Sequence, residues 1–149
     1  MIPWTLAKLV PHAGDMLLID EILACDESGI ETRLVVRPGL FTDAAGALPA
    51  WIGVELMAQS VAAFAGCQAR RRGEAPALGF LLGTRQFACD VPAFPAGGEL
   101  RIRAQPALEN DDGMAIFDCH LQGPGCQASA RLNVYRPPQV DLYLEEPAP

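Results

Sequence analysis

PAWIGVELMAQSVAAFAGCQARRRG, residues 49–73, is the stretch whose reading decides the fold. It predicts one helix from about Ala50 to Arg72. Pro49 suits a first helical turn, where its missing N–H is no loss. Arginines 70–72 face the negative end of the helix dipole, and Gly73 suits the position just past the end. At 1.5 Å per residue such a helix is roughly 30 Å long, about the width of a small domain. It is apolar nearly all round, with small residues Gly53, Ala58, Ala62, Ala63, Ala65 and Gly66. A helix of that kind is covered on most sides. Glu55, Gln59 and Gln68 interrupt the apolar run from 51 to 69, which argues for a buried helix and against a membrane span.

Around this helix the pattern changes from period 3.6 to period 2. Upstream, Leu17 to Cys25 has strand character, residues 26–29 read as a turn, and Ile30, Thr32, Leu34 and Val36 form one side of a second strand. Pro3 to Leu9 reads as a short helix ended by Pro11 and His12. Downstream, strands are expected over Leu78–Cys89, Glu99–Gln105, Met114–Gln122 and Cys126–Tyr135. The inward faces of the last three are Leu100, Ile102, Ala104; Ala115, Phe117, Cys119, Leu121; and Cys126, Ala128, Ala130, Leu132, Val134. Turns at residues 110–113 and 123–125 link them as a meander. The expected architecture is α+β: an antiparallel sheet of about five or six strands wrapped around one long central helix, the hotdog arrangement. One domain, 1–136, is expected, with an extended Pro-rich acidic tail over 137–149.

The formal net charge of −7 disfavours phosphate backbones, so nucleic acid is excluded as a partner. The five cysteines are odd in number and include no CxxC pair, and only two histidines exist to help them. Buried, reduced thiols are the expectation, with no metal site and no cofactor. Met1-Ile-Pro-Trp4 carries no basic n-region and no signal-type apolar run follows, which points to the cytoplasm.

Glu55 is the sharpest chemical signal. A buried carboxylate is costly unless paired or protonated, and a protonated one suits general-acid work. Gln59, at i+4 on the same face, is placed to orient it. The competing reading is a helix residue whose head reaches solvent, or an interface hydrogen bond. His12 reads either as a base or as a loop histidine with a structural hydrogen bond. His120 alternates onto the polar side of its strand and reads as surface. Asp43 reads as a turn or cap residue, or as a site carboxylate. Arg70, Arg71 and Arg72 read as a solvated helix end or as a docking patch for an acidic carrier protein.

Residues 49–59 resemble the Pro-Gly-x-x-x-x-Glu-x-x-Ala-Gln pattern of the 3-hydroxyacyl-carrier-protein dehydratases of fatty-acid synthesis. Val10-Pro-His-Ala-Gly-Asp-Met-Leu-Leu-Ile-Asp20 is similar to their Leu-Pro-His…Leu-Leu-Val-Asp segment. Pro49-Ala-Trp51 and Gly79-Phe-Leu-Leu-Gly-Thr-Arg85 look closer to the dehydratase-like proteins of aryl polyene gene clusters. The resemblance covers most of the chain from Val10 to about Leu100. It implies dehydration of a 3-hydroxyacyl thioester on an acyl carrier protein or CoA, at a site in a homodimer or hotdog heterodimer. Glu55 then matches the catalytic acid and Gln59 its supporting glutamine. The family's Gly-His-Phe histidine is absent, because that stretch reads Gly39-Leu40-Phe41. His12 is the replacement base in the leading reading; a hotdog thioesterase or an inactive partner subunit are the alternatives.

Overall fold

The computed structural model describes residues 17–74, 80–110 and 112–135. The expected helix at Pro3–Leu9, His12 and the tail lie outside these residues. Strands β1 (Glu21–Asp26) and β2 (Gly29–Val35) form a hairpin, then come β3 (Leu48–Pro49) and the helix α1 (Ile52–Arg71). β4 (Phe80–Cys89), β5 (Ala93–Phe94), β6 (Glu99–Glu109), β7 (Met114–Gly123) and β8 (Cys126–Tyr135) follow.

Six strands make one antiparallel sheet in the order β1-β2-β6-β7-β8-β4. The chain therefore leaves the sheet after β2 and re-enters it at the far edge as β4. α1 carries it across the intervening face, and the β6–β8 meander then fills the gap. That route explains why α1 is both long and central. This is the hotdog arrangement, α+β, as the sequence pattern implies.

The inward faces match the alternation. Ile30, Thr32, Leu34, Leu100, Ile102, Ala104, Phe117, Cys119, Leu121, Cys126, Ala128, Ala130 and Leu132 are all buried. They meet Ile52, Leu56, Met57, Val61, Ala63 and Phe64 of α1 in one core. Phe64 and Phe117 pack edge to face, with centroids 5.7 Å apart. β1 departs from its apolar composition. It is an outer edge strand with mostly exposed side chains, beginning at Glu21, four residues later than the sequence suggests.

Pro49 also departs from expectation. It lies in β3, with Leu48 opposite Phe94 and Pro49 opposite Ala93, and α1 begins three residues later. Ala50 N–H donates to the Pro92 carbonyl at 3.0 Å, so β3 and β5 clamp the start of the helix. At the other end Gly73, with φ +75°, donates to the Arg70 carbonyl and Glu74 to the Ala69 carbonyl. This is a Schellman ending, as Gly73 implies. β6 runs on to Glu109 because a bulge between Pro106 and Leu108 absorbs the proline.

Candidate active site

Glu55 stands in the first turn of α1, half-buried. One turn on, the wholly buried Gln59 donates from Nε2 to Glu55 Oε1 at 3.0 Å. Its Oε1 accepts the backbone N–H of Leu18 at 2.9 Å. The amide is thus held at both ends, and the Leu18 bond fixes which end faces the carboxylate. Leu18 is itself anchored by its neighbour Asp20. That carboxylate accepts Val35 N–H at 2.8 Å and pairs with Arg37, while Asp20 N–H donates to the Arg33 carbonyl. The Leu-Leu-Ile-Asp20 segment therefore hangs on β2 and delivers one N–H to the glutamine that orients Glu55. Nothing local in the sequence of residues 17–20 signals that role.

Other side chains build the surroundings. Trp51 begins the helix and is 66% exposed, one turn before Glu55 on the same face. Phe94 and Phe87 pack on the first turn at Gly53, where a Cβ would lie 3.4 Å from one ring and 3.6 Å from the other. Phe87 follows Gln86, whose φ of +56° marks the bulge that breaks the β4–β8 register. Val54, Glu55, Ala58, Ala62 and Ala65 form a stripe along α1 that stays only half-buried. The helix is thus covered on fewer sides, within one chain, than its composition suggests. Trp51 and this stripe were missed as site features; the i, i+4, i+7/i+8 spacing around Glu55 was the available signal.

The remaining candidates separate cleanly. Asp43 is a turn residue: its Oδ1 accepts Ala45 N–H and Ala47 N–H at 2.9 and 3.0 Å. His120 is exposed on the outer face of the sheet, between Arg103 and Ser129, while its neighbours Cys119 and Leu121 turn inward toward α1. It is on the wrong side of the sheet to serve Glu55. Leu40, at the position of the absent histidine, is 65% exposed in the loop before the helix. Of the three arginines, Arg71 donates to the Cys25 carbonyl and Arg72 to Glu74, while Arg70 Nε is buried with no partner among the described residues. Among the described residues no cluster of three metal-binding side chains exists.

The ApeP-like family, described as ApeP dehydratase, matches residues 4–145. The chain belongs to the ApeP-like dehydratase family. The dehydratase reading, aryl polyene type included, stands on this membership. One solved relative is the dehydratase heterocomplex ApeI:P from Xenorhabdus doucetiae, 28% identical, with a TM-score of 0.83 over 93% of this chain and 95% of that one. PaaI of the E. coli phenylacetic acid degradation operon shares the fold at 17% identity, TM-score 0.60, covering 79% of this chain and 82% of its own. A hypothetical thioesterase with coenzyme A from Streptococcus pneumoniae does so at 12% identity, TM-score 0.56, covering 78% and 86%. No curated protein sequence matches. The ApeP-like membership covers the segments that carry the resemblance, and the first turn of α1 holds the half-buried carboxylate of that helix, Glu55.

Proposed function

We propose that this protein eliminates water from 3-hydroxyacyl thioesters carried on an acyl carrier protein, with Glu55 as the acid. The observation that carries this is the Leu18–Gln59–Glu55 chain of hydrogen bonds. It holds a carboxylate at the open edge of an apolar helix face, where an acyl chain can lie. In the reaction a base removes the C2 proton, the C3–O bond breaks as Glu55 protonates the departing hydroxyl, and the C2–C3 double bond forms. His12 is the base within this chain, six residues before the anchored Leu18. Gln59 positions Glu55, and the positive end of α1 favours the developing negative charge on the thioester oxygen. Arg70, Arg71 and Arg72 are the docking candidates for the acidic carrier, and the setting is the cytoplasm.

The site works in a hotdog dimer. Two features support this: the half-exposed apolar stripe beside Glu55, and β4, a ten-residue edge strand with one side unpaired among the described residues. The Xenorhabdus relative is a heterocomplex, which makes a second hotdog subunit the first partner to test and a homodimer the alternative. The purified protein, alone and with a hotdog partner, is to be assayed for enoyl product from a 3-hydroxyacyl thioester. Glu55→Gln is expected to abolish turnover in whichever assembly is active, and His12→Ala to do the same. Full activity of Glu55→Gln overturns the assignment of the acid. Activity that survives His12→Ala moves the base to the partner. Free thiol released without enoyl product replaces dehydration by thioester hydrolysis.

A further inference from the structure

At the far end of α1, about 18 Å along the helix from Glu55, two cysteines meet an arginine. Cys25 lies near the end of β1 and is half-buried; Cys67 is wholly buried on α1. The helix end is tied to the strand end by three contacts. Arg71 Nη2 donates to the Cys25 carbonyl at 2.6 Å, Arg71 Nη1 approaches Cys25 Sγ at 3.9 Å, and Gln68 Nε2 donates to the Asp26 carbonyl at 2.9 Å. Cys67 stands one turn before Arg71 on the same face of α1, the face from which Arg71 reaches the Cys25 sulfur.

We propose that Cys25 and Cys67 form a peroxide-sensitive dithiol, in which Cys25 is the attacking sulfur and Cys67 resolves it to a disulfide. Partial exposure gives Cys25 access to a small hydroperoxide, whereas Cys67 exposes no surface. The electrostatics agree with this order. The Cys67 thiol, and the Arg71 guanidinium beside it, hold the Cys25 thiol below its ordinary range, against burial and the nearby Asp26 carboxylate. The Cys25 sulfur and burial push Cys67 up, so it keeps its proton. Burial likewise pushes Cys119 up to about 12, so that thiol is the inert kind.

The chemistry balances in two steps. The Cys25 thiolate attacks one oxygen of hydrogen peroxide; the O–O bond breaks, a Cys25 sulfenic acid forms, and the second oxygen leaves as water after taking a proton. Cys67 sulfur then attacks the sulfenic sulfur, its proton leaves with the hydroxyl as a second water, and the S–S bond forms. Two electrons pass from the two sulfurs to the peroxide. An external dithiol reverses the change by being oxidised itself. The bond closes a loop that includes all of β2 and most of α1, and it fastens the edge strand to the helix end.

The test uses the reduced full-length chain treated with one equivalent of hydrogen peroxide without metal or reductant. Peptide mapping is expected to give a Cys25–Cys67 linked peptide with a loss of two hydrogens, restored by dithiothreitol. The linked form should melt higher by on the order of 10 °C. In Cys67→Ala the sulfenic acid should be trapped by dimedone on Cys25 and on no other cysteine, and Arg71→Met should slow the reaction several-fold. Because Cys67→Ala alters the core, the wild-type peptide map stands as the independent measurement. Oxidation that begins at Cys89, or Cys25 carried to the sulfinic acid without linkage to Cys67, overturns the proposal.

Discussion

Gln59 is the residue on which the most rests. It is buried, it accepts Leu18 N–H and it donates to Glu55. Gln59→Leu removes both bonds from a buried position, so stability is expected to fall by about 1–3 kcal/mol in urea denaturation. If Gln59 positions the acid, kcat falls while KM changes little; an equal loss in a variant that only loosens the fold would appear in stability alone. A second buried polar link runs from Thr32 to Ser60, 2.8 Å apart, and Ser60 Oγ donates to the Leu56 carbonyl at 2.9 Å. Thr32 is therefore the donor between the two hydroxyls. Thr32→Val and Ser60→Ala are each expected to cost about 1–2 kcal/mol, and the double variant less than their sum. Strict additivity would show that the two hydroxyls do not cooperate. Glu55, Gln59 and their i+4 relation were legible in the sequence. The Thr32 partner was not, because a threonine in an apolar alternation reads as a neutral strand residue until its neighbour on α1 is known.

At the scale of elements, two glycines set boundaries for different reasons. Gly73 ends α1 with φ +75° and open space where a Cβ would go. Gly73→Ala should cost about 1 kcal/mol, from backbone strain alone. Gly29 opens β2 with φ +154°, and a Cβ there would stand 2.6 Å from the Ala104 carbonyl oxygen of β6. Gly29→Ala is expected to cost clearly more, by the added clash of about 1–3 kcal/mol. Comparable losses in thermal or urea denaturation would show that β2 and β6 separate freely. The end of α1 could be read from Arg-Arg-Arg-Gly. Its start could not, because proline is as acceptable at a strand edge as in a first helical turn, and the choice fell to the Phe94 clamp. The two-residue strands β3 and β5 carry too few residues for any period to show.

Across the whole molecule, exposed ion pairs make a pH-dependent layer over the core. Arg33 holds Glu99 at 2.8 Å and Glu21 at 3.0 Å on the outer sheet face. The Arg33 guanidinium keeps the Glu99 carboxyl below its usual range, and the Ser28 hydroxyl does the same for Asp26. Their folded-state values lie below the unfolded ones. The stability they contribute is present above the ordinary carboxylate range, about pH 4, and is lost as pH falls through and below it. Thermal melts should therefore be flat from about pH 5 to 7 and fall below about 4. In Glu99→Gln that acid-side fall is expected to be smaller, and added salt should shrink the difference further. An unchanged acid limb in Glu99→Gln would remove this pair from the account.

The sequence by itself determined the central helix, the six long strands, the inward face of most of them, the suspect carboxylate and its glutamine. Each follows from a periodicity or a local spacing that neighbouring residues already contain. It also showed a dehydratase pattern lacking the Gly-His-Phe histidine. Only the tertiary structure decided that β1 is an exposed edge, that His120 lies across the sheet from Glu55, and that Gln59 reaches Leu18. These are contacts between residues as much as 41 positions apart. Their partners are chosen by how the sheet closes over α1, and no local pattern carries that information.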